Sequence, residues 1–154
     1  MRYFLPIFLL LIFSCKQETK NPASDLKLNT LLENYVSAYY QLNPLDATQN
    51  GNMNYNDQLA MDISPDYVQK MLALNKSYRD TLAIIDTSKL TYSEQLSIDI
   101  LRFKLEMEIE AFTNGYGLNR PVDQFVFSFP QNFATLGSGA GFIPFKTEAD
   151  YRNF

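Results

Sequence analysis

The 154-residue chain contains no histidine, no tryptophan and a single cysteine. Without histidine there is no imidazole for a Ser-His-Asp or Cys-His relay, and the commonest zinc ligand is missing as well. One thiol forms neither an internal disulfide nor a cysteine cluster. Positive charge is also scarce: 13 Lys and Arg stand against 17 Asp and Glu, a net charge of -4. With no basic run, no nucleic-acid partner is expected, because phosphate neutralisation needs clustered cations. No apolar run approaches the about 20 residues that a bilayer-spanning helix requires. What is plentiful is aromatic surface, with 12 Phe and 10 Tyr to furnish a core. A chain near this length buries roughly two thirds of its unfolded surface, enough for one domain.

The amino terminus is the first informative stretch. Met1 and Arg2 give a short positive start, and residues 3–13 form an apolar run interrupted only by Pro6. That is the length of a signal-peptide core and too short for a permanent span. The run ends Leu11-Ile12-Phe13-Ser14-Cys15 and is followed at once by the polar Lys16-Gln17-Glu18-Thr19-Lys20. It resembles a bacterial lipoprotein signal, in which cleavage precedes the cysteine and that cysteine carries the lipid. Ile12 and Ser14 suit the pattern, whereas Phe13 is bulkier than usual. The competing reading is an ordinary secretory signal with an incidental cysteine. The resemblance implies a signal peptide over residues 1–14, lipid attachment at Cys15, a polar tether over 15–27 and a body over 28–154. The expected location is the bacterial cell envelope, lipid-anchored at the outer membrane or on the periplasmic face. Several acyl chains would hold the protein stably on a membrane, whereas one alone would be marginal.

The body reads as mainly α. Leu28, Leu31, Leu32, Tyr35, Val36, Tyr39 and Leu42 recur at helical spacing, predicting a first helix that ends before Pro44. Residues 50–57, with Gly51 and several Asn, have a turn composition. Ser64-Pro65 marks the next helix start, with Tyr67, Met71, Leu74, Tyr78 and Ile85 as its stripe. Thr91-Tyr92-Ser93-Glu94 has capping-box spacing and opens a long helix over residues 92–112. That helix carries two apolar stripes: Leu96, Ile100, Phe103 and Met107, then Ile98, Leu101, Leu105, Ile109 and Phe112. So broad an arc predicts more than one neighbour. An irregular segment rich in aromatic residues and glycine follows. Within it the alternation over residues 124–129 reads as a short strand or as an extended stretch laid on the helices. Thr147-Glu148-Ala149-Asp150 looks like one more helix start, barely a turn before the last residue. The expectation is three or more packed amphipathic helices forming an incomplete portion of a larger helical fold.

Few residues offer chemistry. From Gly137 the sixth position is Phe142, so the glycine loop fails the dinucleotide pattern, and no Lys-Ser or Lys-Thr follows as in a P-loop. Close packing or loop freedom explains these glycines better. Ser138 has no histidine to activate it. Glu106, Glu108 and Glu110 could divide acid and base roles, but Arg102 and Lys104, each four residues from a Glu, favour a solvated ion-paired strip. Residues 52–62 lack the spaced acidic ligands of an EF-hand. Tyr35, Tyr39, Tyr40, Tyr67 and Tyr78 lie on or beside apolar stripes, where core packing with the hydroxyl at the rim is the default. No catalytic, cofactor-binding or metal-ligating residue is assigned.

A set of ordered blocks does resemble a known family. These are Pro44-Leu45-Asp46-Ala47-Thr48-Gln49-Asn50-Gly51 reaching Tyr55-Asn56-Asp57 and Leu59, then Ser64-Pro65, then Ile85-Asp86 through Leu90. Glu94-Gln95-Leu96-Ser97-Ile98-Asp99-Ile100-Leu101, Gln124-Phe125, Leu136-Gly137-Ser138-Gly139, Pro144-Phe145-Lys146-Thr147 and Asp150-Tyr151 continue the series. In order and spacing the chain resembles the amino-terminal part of the bacterial domain-of-unknown-function 885 family, many of whose members are envelope lipoproteins. That family is longer, largely helical and similar to zinc metallopeptidases of the thermolysin-like superfamily, with His and Glu ligands in its carboxyl-terminal half. The resemblance therefore implies zinc, and a peptide substrate, only for a full-length protein, and it transfers no ligand to this chain. It implies a lipid-anchored scaffold fragment whose helices pack against a catalytic half, with Gln124 and the Gly137 loop placed to line a cleft. The alternative expectation is a non-catalytic helical envelope lipoprotein that binds a peptide, glycan or protein partner through its aromatic tail.

Overall fold

The computed structural model describes residues 22–115, 129–139, 141–143 and 145–154. Its elements are α1 (Pro22–Leu42), α2 (Pro44–Gln49), α3 (Pro65–Ala83), α4 (Tyr92–Thr113), α5 (Phe129–Gly137) and α6 (Glu148–Asn153). Short 3₁₀ turns at Met53–Tyr55 and Thr87–Lys89 join them. Among the described residues there is no strand, so the mainly α expectation holds.

Prolines punctuate the first half. Pro22 occupies the first position of α1, where a missing amide costs nothing. Residues 22–27 of the expected tether are accordingly helical. Leu42 is the last helical residue, because Pro44 restricts Asn43, which adopts φ -127 and ψ 66. Pro44 then starts α2, a short helix that the spacing of apolar residues does not predict. Its small residues Ala47 and Thr48 are buried, and the Thr48 hydroxyl donates to the Pro44 carbonyl at 3.1 Å. Gly51, at φ 87, turns the chain out of this helix in a conformation that side chains other than glycine rarely adopt.

Helices α3 and α4 start as the sequence predicts. Ser64 Oγ accepts from the Tyr67 amide at 3.1 Å, with Pro65 at the first helical position. Thr91 and Glu94 form the reciprocal box: the Glu94 amide donates to Thr91 Oγ1 at 3.3 Å, and the Thr91 amide donates to Glu94 Oε2 at 2.7 Å. Gln95 Nε2 donates to the carbonyls of Thr87 and Leu90, both at 3.0 Å, tying the connection to the first turn of α4.

Three helices make the bundle. Asn75 meets Glu108 toward one end of the α3 and α4 pair, while Leu82 and Ile98 share the core toward the other, so these two helices are antiparallel. Leu28 joins Leu82 and Ile98, whereas Asn43, just past α1, meets Tyr67. Helix α1 therefore runs parallel to α4 and antiparallel to α3. The core consists of Leu28, Tyr35, Leu82, Ile98, Leu101 and Leu105, flanked by half-buried Leu31, Leu32, Tyr39, Leu74, Tyr78, Ile85 and Leu90. Val36, expected in the α1 stripe, is exposed, because it lies one residue, or about 100° of helical turn, past the buried Tyr35. Between α2 and α3 the chain leaves helical structure, and Leu59, Met61 and Ile63 are all exposed there.

The tail departs furthest from expectation. Residues 124–128 of the expected strand lie outside the described residues, and Phe129 opens α5. Pro130 sits in the first turn, where a helix tolerates it, and the following residues contain neither Gly nor Pro until Gly137. Thr147 caps α6 as expected, with Asp150 as its reciprocal partner. Phe154 packs its ring against Phe133 and Phe145, each with centroids 5.4 Å apart. A Cβ added at Gly137 would lie 2.9 Å from that ring, so the ring sits this close to the helix end because the residue there is glycine.

Candidate functional site

The two faces of α4 differ in kind, and each is a candidate. Its inner polar edge carries Lys104 and Glu108, a spacing of four that stacks them on one side of the helix. The expected ion pair is present, but it is half-buried beneath α1 instead of being a solvated strip. Lys104 Nζ donates to Tyr35 Oη at 3.1 Å and lies 4.5 Å from the centroid of the Tyr39 ring, an attractive placement for a cation. Glu108 accepts a second hydrogen bond from Asn75 Nδ2 at 2.9 Å. Tyr39 Oη donates to Asp46 Oδ2 at 2.8 Å, bringing α2 into the same network. Tyr67 Oη donates to Asn43 Oδ1 at 2.6 Å, and Asn43 Nδ2 returns to the Tyr39 carbonyl at 3.0 Å.

Proton affinities in this cluster argue against acid-base work. Burial opposes the Lys104 charge, but the hydrogen bonds to Glu108 and Tyr35 outweigh it and hold the ammonium above the usual lysine range. Burial pushes the Tyr35 phenol up despite the neighbouring Lys104. Burial, then the hydrogen bond to Asp46, raises Tyr39 strongly. A lysine held protonated is no nucleophile, and phenols held neutral are no bases near neutral pH. The cluster binds four helices together through charge-assisted bonds. Asn75 Oδ1 is buried and has no hydrogen-bond partner among the described residues, a cost of about 1–3 kcal/mol that stands against a charge-assisted bond to Glu108 of similar size.

The outer face of α4 is apolar and open. Leu96, Ile100, Phe103 and Met107 retain 46%, 61%, 66% and 49% of their exposure, and Tyr92 extends the stripe at the amino-terminal end. The sequence expectation of two apolar stripes is thus correct in register, but among the described residues only the stripe with Ile98, Leu101 and Leu105 is buried. Helical projection sets Asp99, Glu106 and Glu110 along one edge of the exposed stripe, and Ser93, Ser97 and Ala111 along the other. Arg102 pairs with Asp99 at 3.0 Å and not with Glu106. Glu106 is exposed and forms no salt bridge among the described residues.

A cavity of about 220 Å³ forms a third feature, bounded by Leu45, Asp57, Gln58, Phe133, Ile143 and Phe154. It brings α2 and the turn after it against the aromatic tail. Neither α2 nor this cavity was legible from spacing, since the pocket depends on long-range packing.

Of the remaining sequence candidates, Cys15 and Gln124 lie outside the described residues. Ser138 Oγ donates to the Thr135 carbonyl at 2.8 Å at the end of α5, an ordinary terminal contact. Glu106, Glu108 and Glu110 are not brought together: Glu108 turns inward while Glu106 and Glu110 stay exposed. Among the described residues no three His, Cys, Asp or Glu side chains converge, and no helix is long and apolar enough to cross a membrane. No family model, curated protein or solved structure matches the chain.

Proposed function

We propose that the chain is the scaffold portion of an exported, lipid-anchored protein of metallopeptidase-like architecture, itself without catalytic residues. The observation that carries this reading is the solvent-exposed apolar stripe of α4, Leu96, Ile100, Phe103 and Met107, on an otherwise well-capped bundle helix. Apolar side chains in such a row are the mark of a surface that another part of a structure covers. The family resemblance supplies the candidate for that part, a catalytic half bearing zinc. Cys15 is the attachment point for lipid in this reading, and a peptide is the substrate class of the whole protein.

Two measurements test it. Sequencing the transcript past the codon for Phe154 should reveal an in-frame continuation with a His-Glu-x-x-His type helix; an immediate stop would sink the scaffold reading. Metabolic labelling with a radiolabelled fatty acid should mark the wild-type chain and not Cys15→Ala, while persistence of the label in the variant would remove the anchor.

A second reading is favoured by the cavity beside α2. Its apolar wall of Phe133, Ile143 and Phe154 under a rim of Asp57 and Gln58 suits a single apolar side chain of a peptide, since the volume is below that of most small-molecule sites. In that reading the chain is a non-catalytic binding lipoprotein. Phe133→Ala would then weaken peptide binding without altering the bundle.

A further inference from the structure

We infer that the outer face of α4 docks a basic amphipathic helix, and not a second copy of this chain. The inference deepens the scaffold reading, on which it rests for the premise that the face is covered. From Leu96 to Met107 the stripe climbs about 16 Å, three helical turns, which matches the reach of a partner helix presenting apolar residues at three- and four-residue spacing.

Charge decides the partner's chemistry. One edge of the stripe is acidic, with Asp99, Glu106 and Glu110, and the other is formed by Ser93, Ser97 and Ala111. Asp99 is already engaged by Arg102, so the unneutralised negative charge beside the stripe comes from Glu106 and Glu110. Lys104 lies toward the serine and alanine edge but is held by Glu108 and Tyr35, leaving that edge without a cation directed outward. A second copy would bring no free cation to Glu106 and Glu110: paired parallel it sets Ser93, Ser97 and Ala111 against the acidic edge, and paired antiparallel it sets another acidic edge there, whose Arg102 is already held by Asp99. A helix with Lys or Arg flanking its apolar row meets the acidic edge instead with opposite charge, which fixes both partner and orientation.

The test uses the full chain in phosphatidylcholine nanodiscs and two fluorescent synthetic helices. Both carry Leu on the apolar row, one with Lys and the other with Glu on the flanks, and empty nanodiscs correct for lipid binding. The Lys peptide should bind about tenfold more tightly than the Glu peptide, the worth of two or three exposed ion pairs, and more weakly as salt rises. Ile100→Asp, at an exposed position, should abolish binding with the circular dichroism spectrum unchanged. The double variant Glu106→Lys with Glu110→Lys should reverse the preference. Equal binding of the two peptides, no binding of either, or binding indifferent to Ile100→Asp would overturn the inference. So would a sedimenting dimer that Ile100→Asp dissolves, which would make a second copy the occupant. The transcript beyond Phe154 reports separately on the scaffold reading, so either failure is recognisable without the other.

Discussion

At position 104 an ammonium group lies beneath the Tyr39 ring, beside the Tyr35 hydroxyl and against the Glu108 carboxylate. The pairing with Glu108 was readable from a spacing of four on one helix. Its burial was not, because the tyrosines arrive from α1, 69 and 65 positions earlier in the chain. Arg102 makes the complementary point: positions three before and four after are both within its reach, and it takes Asp99. Lys104, Tyr35 and Tyr39 all have folded-state proton affinities above their unfolded values of 10.5, 10.0 and 10.0. The stability they contribute is therefore fully present below about pH 10 and is lost as pH rises through the folded values. The urea midpoint should hold level from about pH 8 to about pH 10 on account of these groups and fall above that. Tyr39→Phe removes one of these groups and should flatten that fall, whereas an unchanged slope would assign the loss elsewhere.

Among the elements, α4 was the most legible, since its start is written in the four residues from Thr91 to Glu94. Thr91→Ala should cost about 1 kcal/mol in chemical denaturation and Thr91→Ser nearly nothing, because only the hydroxyl accepts the Glu94 amide. The two sides of the same helix should respond unequally to truncation. Leu105→Ala, at a fully buried site, should cost about 2–5 kcal/mol, while Phe103→Ala should stay within about 0.5 kcal/mol. Similar losses at both positions would mean that the outer face is covered within the chain itself. Helices α2 and α5 were harder to read. α2 is six residues long, with buried positions too few to show a period, and α5 begins next to Pro130, which reads at first sight as a helix breaker. Gly137 was legible as a residue of close packing or of a loop, but not its partner; the approach to the Phe154 ring requires a segment brought back by the chain after α5. Gly137→Ala should push that ring aside, seen as a change in the Phe154 aromatic resonances.

At the scale of the whole molecule, the described residues centre on a bundle of α1, α3 and α4 with a polar clamp at one end of its core and an apolar strip on its outside. The hydrophobic pattern was enough to predict helices and the register of both α4 stripes, but a pattern does not say which of two apolar faces finds a neighbour. That is decided by the tertiary arrangement, in which α1 and α3 cover one side and no described element covers the other. The chain between α2 and α3 adds a different consequence. There Leu59, Met61 and Ile63 stand exposed on non-helical backbone, the form in which a protease accepts its substrate. Brief digestion with a protease that prefers apolar residues should nick the chain at this point before cutting any helix of the bundle. The two products should stay associated under native conditions, because Leu28 and Tyr35 on one side of the cut and Leu82 and Leu105 on the other belong to the same core. The protein thus consists of two covalent pieces' worth of structure held by one interior, and it should survive the loss of the peptide bond between them.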